Sequence, residues 1–271
     1  MSKWASNSRK IMETTPLRDR APTLVPTKEP KKMSDSFKAL GTSWNTKDDV
    51  LKFTNAPGIL TEKDPKTKRS LISLYSRVFD PMGLLTPFLM IPKLLFQELW
   101  ARGLDWDQPL DSDIENSWET WKQELANIDQ IRVPRWLLQN LSSVDKVELH
   151  GFGDARERAY ESAVYICAED KDGNRISNLV MAKSRVAPVK RVSLPRLELL
   201  AAYITAKLLD YVIQALRIVV DAVYGWSDSQ ITLAWIRGPS AYWKLFVANR
   251  DRKSTRLNSS HRSLSRMPSS A

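Results

Sequence analysis

Three acidic residues stand where the sequence changes from one predicted element to the next. Asp154 follows an alternating stretch in "HGFGDARERAY", with Gly151 and Gly153 just before it. Glu198 lies in the first turns of the apolar segment "SLPRLELLAA", and Asp228 follows a short apolar stretch in "GWSDSQ". Carboxylates from neighbouring strand ends and an adjoining helix can converge on one point, so the spacing suggests a shared acidic site.

Converging carboxylates repel one another unless cations neutralise them. Their hard oxygen atoms suit Mg²⁺ or Mn²⁺, which keep water and substrate phosphate oxygens in their remaining positions. Two such ions about 3.5–4 Å apart can activate a water and stabilise the leaving oxygen in phosphodiester hydrolysis. Asp154, Glu198 and Asp228 are therefore candidate catalytic and metal-binding residues of a two-ion site.

The same three acids also admit a structural interpretation. Asp228 could cap the helix that begins beside it, and Glu198 could pair with Arg196 or Lys207. Acids at strand ends are common in proteins of every function. Spacing alone leaves both interpretations open.

The segment from Lys146 onward predicts a mixed α/β domain that would position these acids. "KVELHGFGDA", "AYESAVYICAE" and "SNLVMAKSRV" predict three strands, with a hairpin turn at Asp172-Gly173 between the second and third. Ser193 can cap a long helix through "LPRLELLAAYITAKLLDYVIQAL", and Pro195 is tolerated in its first turn. A strand in "AVYGWSDS" and a helix in "SQITLAWI" complete the order.

Helical spacing dominates the preceding segment, after a strand predicted over 50–54. We expect one helix in "LISLYSRVF", a second over 87–100, and a third that Ser112 and Glu115 begin as a capping box. Two tryptophans lie on the stripe of the third helix, which favours a helical core over a base-stacking surface. The stripe consists of Ile114, Trp118, Trp121, Leu125 and Ile128.

The net charge of +10 resides mostly at the two ends of the chain. Residues 1–32 sum to +5 and residues 251–271 to +4, which leaves +1 for 33–250. Both ends read as flexible or disordered. A local basic segment precedes Glu198, and its cations either contact nucleic-acid phosphates or form a solvated loop and strand edge. They are Lys183, Arg185, Lys190, Arg191 and Arg196.

Composition excludes several classes of site. Cys167 is the only cysteine and His150 and His261 are the only histidines, so neither an intrachain disulfide nor a Cys/His metal cluster can form. The longest apolar run, "GLLTPFLMIPKLLF", is too short to span a bilayer, and no secretory signal is evident. An intracellular, reducing compartment fits this composition, and we expect no membrane partner.

Several stretches resemble, in the right order, the Pol polyprotein of Bel/Pao-type LTR retrotransposons. "FGDARERAYESAVYI", "SLPRLELLAA" and "WSDSQITLAWI" are similar to the three opening motifs of its ribonuclease H. "KWASNS" and "LGTSW" resemble the end of its reverse transcriptase. "YSRVFDPMGLLTPF" and "WARGLDWDQPL" resemble the joining segment often called the Pao retrotransposon peptidase region. The resemblance spans roughly residues 3–250.

The resemblance implies an α+β fold, with a helical connection segment followed by a truncated ribonuclease H-like mixed α/β domain. The implied parts are a reverse-transcriptase remnant and linker at 1–69, the connection segment at 70–140, the ribonuclease H-like domain at 146–250, and a disordered, non-native tail at 251–271.

The same resemblance implies divalent-metal hydrolysis of RNA in RNA/DNA hybrids. Asp154, Glu198 and Asp228 would hold Mg²⁺ or Mn²⁺, and Ser229 and Gln230 would contact the nucleic-acid backbone. The implied partners are the hybrid and the remainder of the Pol polyprotein. The implied location is a cytoplasmic virus-like particle or replication complex of the element.

Two departures from the family weaken this expectation. Ribonuclease H domains normally add a fourth carboxylate near the C-terminus, often with a histidine, whereas this chain turns at Asp251 into a serine- and arginine-rich tail where His261 is not counted as catalytic. Arg156 replaces a small residue and could pair with Asp154 or compete with the metal. We therefore expect impaired cleavage, and the alternative is a non-catalytic, nucleic-acid-binding or structural fragment.

Overall fold

A computed structural model of the chain divides, in its described part, into two compact units. One unit is drawn from 1–81 and 106–136, the other from 82–105 and 137–271. The expected α+β class is confirmed, while the domain boundaries expected from the resemblance stay a prediction. The structure describes residues 6, 8–19, 36–39, 42–53, 58–139, 141, 143–239, 246 and 262–266.

The helices and strands expected between 50 and 237 are present in the expected order. The sequence did not indicate the short elements at Arg9–Thr14, Ser36–Ala39, Thr42–Asn45, Arg132–Pro134 and Arg262–Arg266. The helices are α1 (Arg9–Thr14), α2 (Lys68–Tyr75), α3 (Thr86–Ala101), α4 (Ser112–Leu125), α5 (Leu194–Leu216) and α6 (Gln230–Arg237). The strands are β1 (Ser36–Ala39), β2 (Thr42–Asn45), β3 (Val50–Phe53), β4 (Arg132–Pro134), β5 (Lys146–Arg156), β6 (Ala159–Glu169), β7 (Arg175–Val186), β8 (Ala222–Ser227) and β9 (Arg262–Arg266).

The first unit contains an antiparallel sheet in the order β1-β2-β3-β4 and the amphipathic helix α4. Trp118 and Trp121 are each 1% exposed and their ring centroids lie 4.8 Å apart, so the expected helical core is confirmed for both. The capping box expected at Ser112 is wrong, because Asp111 is the N-cap and makes no side-chain cap bond. A reciprocal capping box occurs instead at Thr67 and Ser70, where α2 begins.

The second unit is built on a mixed sheet in the order β7-β6-β5-β8-β9. The hairpin strands β5, β6 and β7 are antiparallel, and β5 pairs parallel with β8. Helix α3 packs beside β7, where the Ala182 N–H donates to the Met82 carbonyl at 2.9 Å. Helix α5 lies between β7 and β8 in sequence and covers one face of the sheet with its apolar side.

Strand β9 corrects part of the disorder expected over 251–271. Residues Arg262–Arg266 pair in parallel with β8, in register with Val223–Ser227. An edge strand presents a row of unpaired backbone N–H and C=O groups, which another stretch of chain can satisfy whatever its side chains are. At the other end, α1 likewise forms within a segment expected to be flexible. Hydrophobic patterning does not report either event.

At Gly151 and Gly153, helix α5 approaches β5 more closely than a side chain at either position would allow. A Cβ added to Gly151 would lie 2.7 Å from the Leu209 Cδ1 atom. A Cβ on Gly153 would lie 2.6 Å from the Thr205 Oγ1 atom and 3.2 Å from the Ala201 backbone. The two glycines near the strand end therefore allow the close packing of α5. The length and hydropathy of α5 would also suit a membrane span, yet the apolar residues of this helix form the core against the sheet.

We predict that Gly153→Ala lowers the free energy of unfolding by about 1–3 kcal/mol, because the backbone of α5 cannot move away from the new methyl group without repacking. Alanine would otherwise be preferred to glycine within a strand. Urea unfolding of both proteins measures the difference. Ser177→Ala, at an exposed position of β7, is the control and should change stability by under about 0.5 kcal/mol. A neutral or stabilising G153A would contradict the close-packing account.

Candidate active site

Sheet geometry brings the three candidate acids to one end of the second unit. The parallel register pairs Phe152 with Trp226, so Asp154 and Asp228 each stand two residues further along neighbouring strands. Glu198 lies near the start of α5, whose first turn is at this same end. One carboxylate oxygen from each acid lies within 4.8 Å of the others. The convergence expected from the strand ends is therefore observed.

Burial and repulsion from the other two carboxylates disfavour the charged form of Glu198. Glu198 is buried, with only 7% of its surface exposed. Burial first, and then the negative charges of Asp228 and Asp154, raise the pKa of Glu198 to about 7, while the Ala155 N–H opposes this rise. The buried Oε2 atom of Glu198 has no hydrogen-bond partner among the described residues. An oxygen atom in this state is suited to accept a cation.

The structural interpretations of these acids fail within the described residues. The helix α6 is capped by Ser229, whose Oγ atom accepts from the Thr232 N–H at 3.2 Å, so Asp228 is not the cap. The two basic side chains that could have paired with Glu198 contact aromatic rings instead. Arg196 stacks over the ring of Phe246, and the Lys207 ammonium lies over the ring of Tyr203.

A cavity of about 400 Å³ adjoins the acidic cluster. Its wall includes Glu198, Asp228, Ser229 and Gln230, together with apolar groups of the α5 and α6 first turns. Ser229 and Gln230 thus lie beside two of the acids, as expected. The side chain of Ser229 already serves as the helix cap, which restricts the contacts that its hydroxyl can make.

The predicted basic residues are distributed over two elements and a connection. Lys183 and Arg185 are exposed on β7, at the end of the sheet that carries Asp154. Lys190 and Arg191 are exposed between β7 and α5, and Arg191 lies 3.8 Å from Glu157 in an ion pair open to solvent. Such exposed pairs contribute little to stability. These cations therefore remain available to a ligand.

Two further charged groups lie on the Asp154 face of the sheet. Arg156 is exposed and makes no ion pair with Asp154 in the described part of the chain, so the first of the two alternatives for this residue, pairing with Asp154, is not observed. Glu161 stands directly opposite Asp154 in the β5–β6 register. The motifs in the sequence did not indicate Glu161. Counting outward from the two-residue turn at 157–158 would have found it, because alternation fixes which residues face each other.

The acidic cluster fits a hard divalent cation better than any other resident group. It offers carboxylate oxygens only, and one of them is buried without a partner among the described residues. Mg²⁺ and Mn²⁺ prefer such ligands and retain waters in their remaining positions. Asp154, Glu198 and Asp228 are the residues that would hold the cation.

Comparison with protein families places most of this chain in one of them. The family described as the Pao retrotransposon-like RNaseH-like domain matches residues 67–229. This match includes all three acids and every cation of the basic segment. No curated protein matches the chain.

One solved structure shares the fold at low sequence identity, and others align less closely. A foamy viral protease-reverse transcriptase in complex with an RNA/DNA hybrid has 12% identity and a TM-score of 0.50, with 88% of this chain and 30% of that chain covered. The foamy viral enzyme in complex with dsDNA has 13% identity, a TM-score of 0.47, and coverages of 87% and 45%. RNase H1 from Halobacterium salinarum NRC-1 has 15% identity, a TM-score of 0.29, and coverages of 46% and 86%. The chain therefore spans less than half the length of these viral proteins.

We predict that Glu198→Gln stabilises the cation-free protein in a pH-dependent way. A raised pKa means that the folded state binds the proton more tightly than the unfolded chain, so stability falls as pH rises from about 4.5 to 7. Removing the charge should raise the free energy of unfolding by up to about 3 kcal/mol at pH 8 and by almost nothing at pH 4.

Urea unfolding in EDTA at pH 4, 6 and 8 measures this difference. Glu119→Gln, at an exposed position of α4 in the other unit, makes the same charge change and should show no such pH dependence. A stabilisation by E198Q that is equal at all three pH values would show that titration of Glu198 is not its cause.

Proposed function

The chain belongs to the family of Pao retrotransposon-like RNase H-like domains, and from this membership we propose that its acidic cluster hydrolyses the RNA strand of RNA/DNA hybrids. The chain is an RNase H-like domain of a retroelement Pol polyprotein, and its function is related to nucleic acids. We propose the hybrid as substrate because the chain shares its fold with a foamy viral protease-reverse transcriptase whose structure was solved in complex with an RNA/DNA hybrid.

One observation carries the proposal. Carboxylate oxygens of Asp154, Glu198 and Asp228 converge within 4.8 Å, and the buried Glu198 has an oxygen atom without a hydrogen-bond partner in the described structure. Folding brings these charges together at a cost in stability, which is typical of residues retained for chemistry. A cluster that served only stability would have a neutralising cation or a full set of hydrogen bonds.

The acids divide their work by position. Glu198, held by α5 and by the Ala155 N–H, presents its free oxygen from the buried side, whereas Asp228 is exposed where a substrate arrives. Bound Mg²⁺ or Mn²⁺ would supply Lewis acidity toward a water and toward the scissile phosphate. Depletion of the ions by EDTA should therefore stop cleavage without unfolding the protein.

The basic segment would hold the hybrid against the acidic cluster. Lys183, Arg185, Lys190 and Arg191 are exposed, and their ammonium and guanidinium groups would contact phosphates without reading base sequence. Arg196 would contribute from the first turn of α5. Recognition through backbone shape and 2′-OH groups needs no base-reading side chain.

A second candidate function is hybrid binding without cleavage. The cluster of ligand oxygens in the described part of the chain contains three carboxylates, whereas the family resemblance implies a fourth. If three are insufficient, the basic segment would still bind hybrids and the chain would act within the larger Pol polyprotein. Cleavage and binding assays on the same preparation separate the two functions.

We predict that Asp228→Asn lowers hybrid cleavage at least about a hundredfold, because it removes one charged ligand of the ion. Cleavage of a labelled RNA/DNA hybrid by the wild type and each variant is measured in Mg²⁺ and in Mn²⁺. Asp172→Asn in the distant β6–β7 turn is the matched control. If D228N cuts at the wild-type rate, the assignment of the acids is wrong; if no form cuts yet all bind, the second function holds.

We predict that Lys190→Gln combined with Arg191→Gln weakens hybrid binding and reduces its salt dependence. For every phosphate that the double variant no longer neutralises, the slope of log K against log salt concentration should fall by about 0.9. Fluorescence anisotropy with EDTA present measures binding without cleavage. Lys63→Gln combined with Lys171→Gln removes two exposed charges elsewhere and is the control. An unchanged slope for K190Q/R191Q would return this segment to the solvated-loop interpretation.

A further inference from the structure

Helix α3 is attached to β7 at two points along its length. Just before the helix, the Met82 carbonyl accepts the Ala182 N–H at 2.9 Å. Near the last turn of the helix, the Gln97 side-chain amide donates a hydrogen bond to the carbonyl of Ala187, the residue that directly follows β7. The helix, the sheet and α5 belong to one compact unit. Helix α3 therefore reaches the connection between β7 and α5, which carries part of the basic segment.

Ala187 is held through both of its backbone groups. Its N–H donates to the Arg158 carbonyl of the β5–β6 turn at 2.8 Å, and its carbonyl accepts from Gln97. Ala187 is 5% exposed, whereas residues 188–191 are all exposed. It is therefore the buried anchor from which the exposed part of the connection extends, and two cations of the basic segment lie on that exposed part.

The same anchor connects the basic segment to the acidic cluster. Ala187 packs in an apolar cluster with Ala155, which follows Asp154, and with Leu197, which precedes Glu198. Because protein interiors are close-packed and transmit displacements, the position of Ala187 is coupled to the positions of both acids. The distance from the cations of the connection to the acidic cluster thus depends on this anchor.

The ion pairs around the anchor are weaker than its hydrogen bonds. Glu98 lies 3.9 Å from Arg158, and Glu157 lies 3.8 Å from Arg191, with all four side chains open to solvent. Exposed pairs of this kind contribute little. A hydrogen bond to the carbonyl of a buried residue contributes more, because its loss leaves a polar atom without a partner. Gln97 is therefore the side chain of α3 on which the anchor depends most.

We propose that Gln97 is a positioning residue for nucleic-acid binding, which holds the β7–α5 connection through Ala187 so that Lys190 and Arg191 meet the phosphates of a hybrid. This inference rests on the proposed hybrid binding and extends it to α3. Without the hydrogen bond from Gln97, both cations stay on the chain. They must then be ordered when the hybrid binds, and that ordering costs affinity.

Hydrogen exchange tests the anchor in the whole 271-residue chain without any ligand. Gln97→Met keeps the length of the side chain and removes its N–H donor. The Ala187 amide, followed by NMR, should exchange about threefold to tenfold faster in Q97M, because the anchor loses one hydrogen bond. Gln214→Met removes an exposed amide near the other end of α5 and should leave this rate unchanged. Equal rates in Q97M and the wild type would overturn the proposal.

Fluorescence anisotropy with an RNA/DNA hybrid in EDTA tests the positioning. Q97M should weaken binding about threefold to tenfold. In the K190Q/R191Q background, Q97M should change Kd by less than about twofold, because it acts through those two cations. In a Lys183→Gln background the full loss should remain, since Lys183 lies within β7 and not on the connection. Urea unfolding checks that each variant is folded.

The outcomes separate this inference from the proposed function. If the wild type does not bind the hybrid, the proposed function fails and this inference fails with it. If the wild type binds and Q97M binds equally well, the inference alone is overturned. It is also overturned if Q97M loses affinity equally with and without Lys190 and Arg191, because Gln97 would then act on the stability of the unit and not on those cations.

Discussion

The close approach of α5 to β5 is the contact on which the acidic cluster depends. Because Gly151 and Gly153 lack side chains, the helix lies against the strand backbone, and its first turns reach the strand end. Glu198 then enters from the helix side and receives the Ala155 N–H. A larger residue at either glycine would push the helix outward, and the carboxylates would separate. Core packing and site assembly are therefore one constraint in this unit.

The cluster opposes the stability of the fold that assembles it. Bringing a buried glutamate next to two aspartates raises its pKa to about 7, so the cation-free protein carries an electrostatic penalty at neutral pH. Binding of cations would remove that penalty and stabilise the folded state by mass action. The basic side chains of Lys183, Arg185, Lys190 and Arg191 are exposed and lie outside the cluster. A lysine or arginine inside the cluster would neutralise it permanently and displace the metal ion.

Much of the second unit was predictable from the sequence because its patterns are local. Alternation predicted β5, β6 and β7, and the segment 194–216 predicted for the long helix is the helix observed. Signals of one or two side chains were less dependable. Ser112 and Glu115 have the spacing of a capping box, yet the backbone enters α4 through Asp111, so the reciprocal bonds do not form. A cap depends on the entry angle of the chain, which tertiary packing sets.

By itself, the sequence determined the order of elements from β5 to α6, the family and the three acids, since these follow from periodicity and from short motifs. Only the tertiary structure decided that those acids share one point, that Ser229 rather than Asp228 caps α6, and that Glu161 faces Asp154. It also paired Arg262–Arg266 with β8, against the expected disorder. The reason is physical: distances between residues far apart in sequence depend on strand register and helix approach, and an open strand edge accepts a partner through its backbone.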